Sequence, residues 1–560
     1  MTFNKVIFDI ETTMTADKIW CIVCKHNDTY YQFREDNLHR FEEFIKQTEE
    51  VIGHNILGFD IPVVNKIFGY DLFANCKKTD TLVLSRLLNP MIEGGHSLKN
   101  WGTKLGHNKI HFEQFDFFTE EMLTYCRNDV ELTERLYKFL STKTKDFGQS
   151  IELEHKVAEI IQKQHDTGFK INVIDAYELQ CKFQEDMNDL TTKVRQTFPP
   201  LKIETEFIPK SNNKARGYVK GVPFIKVKYK EFNLGSRQQI AERLMLLGWK
   251  PKKKTDKGHV IVDEKVLSEI HNIPEAKLIN RFLMLQKRIA QVNSWIEGIK
   301  EDGRVHGKVI TNGTITGRMS HQSPNMAQIP AVYSPYGKEC RALWTVNKGY
   351  KLVGVDASGL ELRMLAHYMN DKDYTHEVVN GDIHTTNQIA AGLASRDESK
   401  TFIYAFIYGA GSKKIGSIIG GSERDGERIK EKFLRATPSL RSLREKVERI
   451  ASRRWVRGLD QRKIIIRYPH AALNTLLQGA GATVMKYALT LLEEYVKIKQ
   501  IKALPVVNVH DEFQYEVEEK RADEFGMLAV QSIVDAGKQL NVRCPLNGKY
   551  KIGNNWSETH

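Results

Sequence analysis

Asp9 and Glu11 stand two residues apart in VIFDIETT. An extended strand turns residues i and i+2 to one face, so their carboxylates converge and can share a cation. Asp60 follows in GHNILGFDIP, and Asp129, in YCRNDVELTERLY, comes four residues after Tyr125 and shares its side of a helix. Such groups suit hydrolysis of a phosphodiester, which needs its equatorial oxygens neutralised, hydroxide generated near neutral pH and the leaving alkoxide stabilised. Two cations held on oxygen ligands do all of this, and Tyr125 would orient the attacking water. A lone DxE is a weak signal, because acids at strand ends are usually only solvated; the weight rests on all three segments occurring in order.

A second set lies in the C-terminal half. In KLVGVDASGLELRMLAHYM an apolar strand ends at Asp356 and a small-residue turn leads into a helix. LPVVNVHDEFQYEV reads as two alternating strands with His510, Asp511 and Glu512 at the hairpin tip. Asp356 and Asp511 are assigned to cations able to lower the pKa of a 3′-hydroxyl and bridge a triphosphate. Between them, Arg396, Lys400 and Tyr404 recur every four residues and form one helical stripe, with Gly409 to Gly411 marking the helix end. Arg396 and Lys400 could grip β and γ phosphates while Tyr404 packs on a sugar or base. A bland amphipathic helix with a basic face explains each of these residues separately.

The elements that must position these groups follow from periodicity. Residues 1–150 alternate short apolar runs with helical patterns such as TDTLVLSRLL, which predicts an α/β domain. From 151 to about 198, and again from 236 to 300, helical spacing among many Lys, Gln and Glu predicts long helices forming an arm without a compact core. Between them, residues 202–230 carry eight Lys or Arg against two Glu and read as an exposed loop or hairpin, as readily solvated as touching DNA. Strands and helices mix again from Arg304, and a helical block from His384 to about Glu494 separates two strand-rich pieces.

At 560 residues the chain exceeds what one core organises, and 41% hydrophobic with 27% charged residues is globular composition. No stretch approaches the roughly 18 apolar residues of a membrane span, and no targeting leader precedes VIFDIETT, so a soluble, cytoplasmic protein is expected. Seven scattered cysteines suit reduced thiols, and the lone Cys21–Cys24 CxxC reads more simply as two small buried hydrophobes than as a zinc or redox pair. The net charge of +13 favours a polyanionic partner, for which a phosphate backbone is the commonest choice.

In order and spacing, Asp9, Glu11, Asp60, Tyr125 and Asp129 resemble the DEDDy family of 3′-to-5′ exonucleases across residues 5–140. The resemblance implies that the four acids ligate metal. His54 and Asn55 fit its second segment, and His54 is equally suited to a structural hydrogen bond. DASGLELR, the helix bearing Arg396, Lys400 and Tyr404, and VHDE resemble the three polymerase segments of family A DNA polymerases. TGRMSHQSPNMAQIP and GLDQRKIIIRYPHAALNTLLQGAGA extend the likeness from Ile315 to the final NNWSETH, and within the family the chain is similar to the bacteriophage replicative branch.

The implied fold is α/β multidomain, an RNase H-like exonuclease domain followed by a right-hand polymerase. The exonuclease spans 1–150, the thumb 151–300 with a short basic insertion near 199–231, the palm 301–380 and 495–560, and the fingers with adjoining helices 381–494. By the same resemblance Arg318, Gln478 and His510 approach the minor groove at the primer terminus, with Asn325 and Gln328 also on DNA. His384 assists the phosphates, Tyr408 stacks near the templating base, Glu361 blocks a ribose 2′-hydroxyl, and Ala357 joins Asp356 and Asp511 around metal. The implied cofactor is Mg²⁺, two per active site, with Mn²⁺ able to substitute. The implied partners of this monomer are primer-template DNA, deoxynucleoside triphosphates and replisome proteins, with no membrane; a phage origin would place it in the host-cell cytoplasm.

The arm departs from the branch, whose best-known members carry a long insertion there that binds a host processivity protein. Here the segment is short and basic, so a thioredoxin-type factor is doubtful. No room precedes residue 5 for the 5′-nuclease domain of repair-type relatives. Two rivals remain: a single-subunit RNA polymerase would lack the proofreading acids and Glu361, and an exonuclease or DNA-binding protein with a vestigial polymerase would have lost Asp356, Asp511, Arg396 or Lys400. All are present.

Overall fold

The computed structural model describes residues 3–255 and 257–560 and divides into two compact units. The first unit comprises the chain up to Lys170 together with His306–His560, and the second is Ile171–Val305.

The apolar strand Val6–Thr12 forms the centre of a five-stranded sheet, in the order Thr29–Arg34, Ile19–His26, Val6–Thr12, Glu50–Gly53, Lys77–Asp80. The first two join it antiparallel and the last two in parallel. Alternation divides the central strand between two cores: Val6, Phe8 and Ile10 pack with Phe41 and Phe73, whereas Ile7 packs with Met122, Cys126 and Val130 of the helix Glu120–Ser141. Asp9 and Glu11 therefore face that helix. Thr119 caps it by accepting the Met122 N–H at 3.1 Å, and Glu120 and Glu121 complement the positive end of its dipole. Cys21 and Cys24 lie in the two separate cores on opposite faces of their strand, so they cannot close on one metal.

The second sheet, in the order Ala503–Val509, Glu512–Glu518, Tyr350–Ala357, Gly548–Gly553, is antiparallel throughout. A side chain at Gly354 would put its Cβ 2.4 Å from Gln514 Nε2 and 2.7 Å from the Thr559 carbonyl, so the glycine lets the last residues lie across the sheet. The helical block from His384 onward is interrupted by a short hairpin, Trp455–Arg457 with Lys463–Ile465, where the helical apolar period gives way to KIII. A buried ion cluster ties this hairpin to the helix Gly148–Thr167: Glu154 receives Lys486 Nζ at 2.7 Å and Arg462 Nη1 at 2.6 Å, and Asp460 balances Arg462.

The second unit corrects one expectation, because it has a core of its own. The helix Glu275–Glu297 presents Ala276, Ile279, Phe282 and Leu283, which cluster with Val194, Phe198, Ile240 and Leu244. The apolar stripe of each helix is wide enough to pack against its neighbours in the same unit. The basic segment forms an exposed two-stranded hairpin, Leu201–Phe207 with Phe224–Lys230. Among the described residues, no helix is long and apolar enough to cross a membrane.

Candidate active sites

The structure brings Asp9, Glu11, Asp60, Tyr125 and Asp129 together. Asp9 and Glu11 each offer an oxygen within 4.8 Å of the other and of Cys126 Sγ. Asp60 opens the helix Asp60–Phe68 and accepts the Ile10 N–H at 3.2 Å, which ties it to the Asp9 strand. Burial pushes the Asp9 carboxyl well above its usual range, and repulsion from Asp129, Asp60 and Glu11 adds to this. Burial, again with Asp129, raises Glu11 to about 9. Asp60 rises to about 7, also chiefly through burial.

The donor set fits divalent cations. The site is built from hard carboxylate oxygens, and Asp129 Oδ1 is buried without a hydrogen-bond partner. Cys126 is a donor here and not a ligand: burial holds its thiol far above the usual range, and it donates to Asp9 Oδ2 at 3.6 Å. Tyr125, raised to about 12 by burial, keeps its proton and packs on Phe112 with ring centres 5.4 Å apart.

Sequence reasoning missed two neighbours. Asp80 accepts the backbone N–H groups of Asn55, Leu57 and Leu82 at 2.8–3.1 Å and so shapes the turn before Asp60, a role its place ahead of a helix could have signalled. Lys109, from an irregular loop with no periodic signal, sets its ammonium 2.5 Å from Asp129 Oδ2 and over the Tyr125 ring at 4.7 Å. His54 bonds Thr81 Oγ1 at 2.9 Å, and burial lowers its pKa to about 4, which keeps the ring neutral.

At the second sheet, pairing places Asp356 directly opposite Glu512, and the Ala357 N–H donates to the Asp511 carbonyl at 3.0 Å. Asp356 stays open to solvent at its surface, yet lost solvation and then repulsion from Asp511 and Glu512 raise it to about 7. Asp511 is raised as well, first by burial. Glu512 differs: burial would raise it, but donors hold it below its ordinary value. Trp556 Nε1 donates at 2.6 Å and Gln514 Nε2 at 2.5 Å to one oxygen, and the His560 ring lies 2.9 Å from the other. With both oxygens engaged, Glu512 is held as a fixed charge beside the two raised acids.

The remaining expected residues fall into three groups. Arg396, Lys400 and Tyr404 share the helix Arg396–Ile407, and the His384 ring centre lies 6.3 Å from that of Tyr404. Lys400 is exposed, and His384 Nδ1 is buried without a partner. Arg396 is held by Asp382, at 2.7 and 3.1 Å. Arg318 donates to Glu361 at 3.2 Å, and the exposed Tyr408 hydroxyl donates to the same oxygen, a bridge that spacing could not show. Arg318, His510 and Glu512 line one cavity of about 30 Å³ that also touches Ala482, one turn beyond Gln478. Asn325 and Gln328 sit apart from that lining, at the 3₁₀ turn Met326–Gln328.

The raised acids make stability depend on pH in a stated direction. A carboxyl whose folded-state pKa is raised keeps its proton in the folded chain after the unfolded chain has lost it, so its contribution is full below the unfolded value and is lost as pH rises. In chelating buffer the contribution of Asp60 should fall between pH 3.8 and about 7, and that of Glu11 between pH 4.5 and about 9. Asp60→Asn and Glu11→Gln should flatten the fall in denaturant midpoint over those windows. Parallel profiles for parent and variants would remove both groups from a buried cluster.

Comparison with known proteins agrees with this geometry. Residues 220–558 match the family model described as DNA polymerase family A. The chain is 33% identical to the DNA-directed DNA polymerase of Enterobacteria phage T3, over 99% of this chain and 100% of that one. It is 34% identical to the DNA-directed DNA polymerase of Escherichia phage T7, over 91% of this chain and 92% of the relative. Its fold is similar to the POL domain of Pol1 from M. smegmatis, solved in complex with DNA primer-template and dNTP, with a TM-score of 0.82, 18% identity, and 99% and 96% of the two chains covered. A match over more than half the chain, joined to full-length likeness above 30% identity, places this protein in DNA polymerase family A.

Proposed function

We propose that the chain extends a primer on a DNA template with deoxynucleotides at Asp356 and Asp511, and removes mispaired nucleotides from the same 3′ end at Asp9, Glu11, Asp60 and Asp129. The observation that carries this reading is the presence of two separate carboxylate clusters, one at the five-stranded sheet and one at the four-stranded sheet. The exonuclease is assigned to 1–150, the thumb to 151–300, the palm to 301–380 and 495–560, and the fingers to 381–494. The phage relatives support a replicative role, which belongs in the cytoplasm of a host cell, with replisome proteins as partners of a monomeric enzyme.

Mg²⁺, with Mn²⁺ as substitute, is the proposed cofactor of both clusters; when bound it would neutralise phosphate oxygens and acidify the attacking water or 3′-hydroxyl. Asp356, Asp511 and the Ala357 carbonyl would hold it at the polymerase site. Lys400 takes triphosphate oxygens directly, and Arg396 joins it by exchanging Asp382 for phosphate. His384, whose ring lies beside that of Tyr404, assists the same anion. Tyr404 faces the sugar, and Tyr408 the templating base. Glu361, fixed by Arg318 and Tyr408, crowds a 2′-hydroxyl. Arg318, Gln478 and His510 test minor-groove acceptors that every base pair presents, and Asn325 and Gln328 hold the strand nearby. At the exonuclease, the protonated Tyr125 orients water.

The hairpin of the second unit adds a DNA contact. Lys226, Lys228 and Lys230 alternate along one strand and share a face, roughly 7 Å apart at about 3.4 Å per residue. That repeat is commensurate with the about 3.4 Å axial rise per phosphate.

Two experiments test the reading. Asp9→Ala with Glu11→Ala should abolish digestion of a mismatched primer while extension persists, and single-strand digestion surviving in nuclease-free protein would refute the assignment. Neutralising Lys226, Lys228 and Lys230 should shorten the product made per binding event and reduce the salt slope of binding by up to about three. Unchanged run lengths and slope would leave the hairpin a solvated loop.

A further inference from the structure

Four carboxylates converge at the exonuclease site, and repulsion among them acts where solvation is poor. One cation is built into that cluster. Lys109 Nζ lies 2.5 Å from Asp129 Oδ2, and its positive charge also draws down the pKa values of Asp9 and Glu11. The ammonium is also over the Tyr125 ring at 4.7 Å, so one side chain touches the acid and the phenol that the reaction needs. Its side chain is 26% exposed against 3% for Asp129, so Lys109 lies on the solvent side of the acid.

A divalent cation at Asp129 would set two positive charges within a few ångströms of each other, so metal loading weakens the hold of Lys109 on Oδ2. Asp129 Oδ1 stays free for a ligand while Oδ2 is taken. A flexible four-carbon stem lets the ammonium withdraw from Oδ2 without leaving the Tyr125 ring. We propose that Lys109 is the resident counter-ion of the proofreading carboxylates, holding Asp129 until a divalent cation takes its place and then remaining beside Tyr125 as the positive charge nearest the incoming phosphodiester. This deepens the exonuclease reading above and rests on it. It makes Lys109 a positioning residue whose partner changes with metal loading.

The test is thermal unfolding of the full chain by calorimetry, in chelator and in saturating Mn²⁺, for the parent, Lys109→Met, Lys109→Arg, Asp129→Asn and the Lys109→Met/Asp129→Asn pair. In chelator Lys109→Met should lower Tm by several degrees, and Lys109→Arg, which keeps the charge, should restore most of it. The loss should largely vanish in Mn²⁺ and on the Asp129→Asn background, because each removes the charge that Lys109 balances. A loss of equal size in chelator, in Mn²⁺ and beside Asp129→Asn would make Lys109 a packing residue and overturn the proposal, as would no loss at all. Single-strand digestion by the parent separates the two readings. If the parent does not digest while the Tm pattern holds, the exonuclease reading falls and the counter-ion stands; if it digests and the pattern is absent, the reverse follows.

Discussion

Like charges held close together in poorly solvated surroundings set the terms for this molecule. A carboxylate that loses water loses most of its stabilisation, and a second one beside it makes ionisation harder still. Here Asp9, Glu11, Asp60 and Asp129 converge at one sheet, and Asp356, Asp511 and Glu512 at another. No fold would bring such groups together for stability. Their convergence is the physical ground on which cations are proposed at both sites.

The two sites meet the repulsion differently. At the four-stranded sheet, Glu512 is satisfied by Trp556, Gln514 and the His560 ring, so its charge is fixed, whereas Asp356 and Asp511 are held above their ordinary values. Residues near the end of the chain thus serve a carboxylate in the middle of the sheet, and Gly354 supplies the clearance for that segment. At the five-stranded sheet no comparable set of donors surrounds Asp9 and Glu11 among the described residues; a thiol donates to Asp9, and Lys109 holds Asp129. Where charge is instead wholly structural, as in the Glu154, Lys486, Arg462 and Asp460 cluster, it is balanced two against two.

Much of this was legible in the residues. Strand alternation turned Asp9 and Glu11 to one face, the four-residue spacing of Tyr125 and Asp129 put them on one side of a helix, and the VHDE turn set Asp511 beside Asp356. What escaped reading is what depends on chain segments meeting in space. Lys109 sits in a loop without period, the Arg318–Glu361–Tyr408 bridge joins three distant segments, and Arg396 is held by Asp382, fourteen residues away on a segment that the helical stripe does not include. The core of the second unit escaped for a different reason. Polar residues dominate its helices by number, and only the packing of one helix stripe on another shows that the apolar minority is enough.

The proposed function requires two independent carboxylate clusters that each bind metal. Calorimetric titration of Mn²⁺ tests it most directly, into the full chain carrying a dideoxy-terminated primer-template and into the Asp9→Ala/Glu11→Ala and Asp356→Ala/Asp511→Ala variants treated alike. The account predicts two classes of sites in the parent, with each double variant losing one class and keeping the other at parental affinity. Loss of the same class in both variants, or parental binding in either, would contradict it.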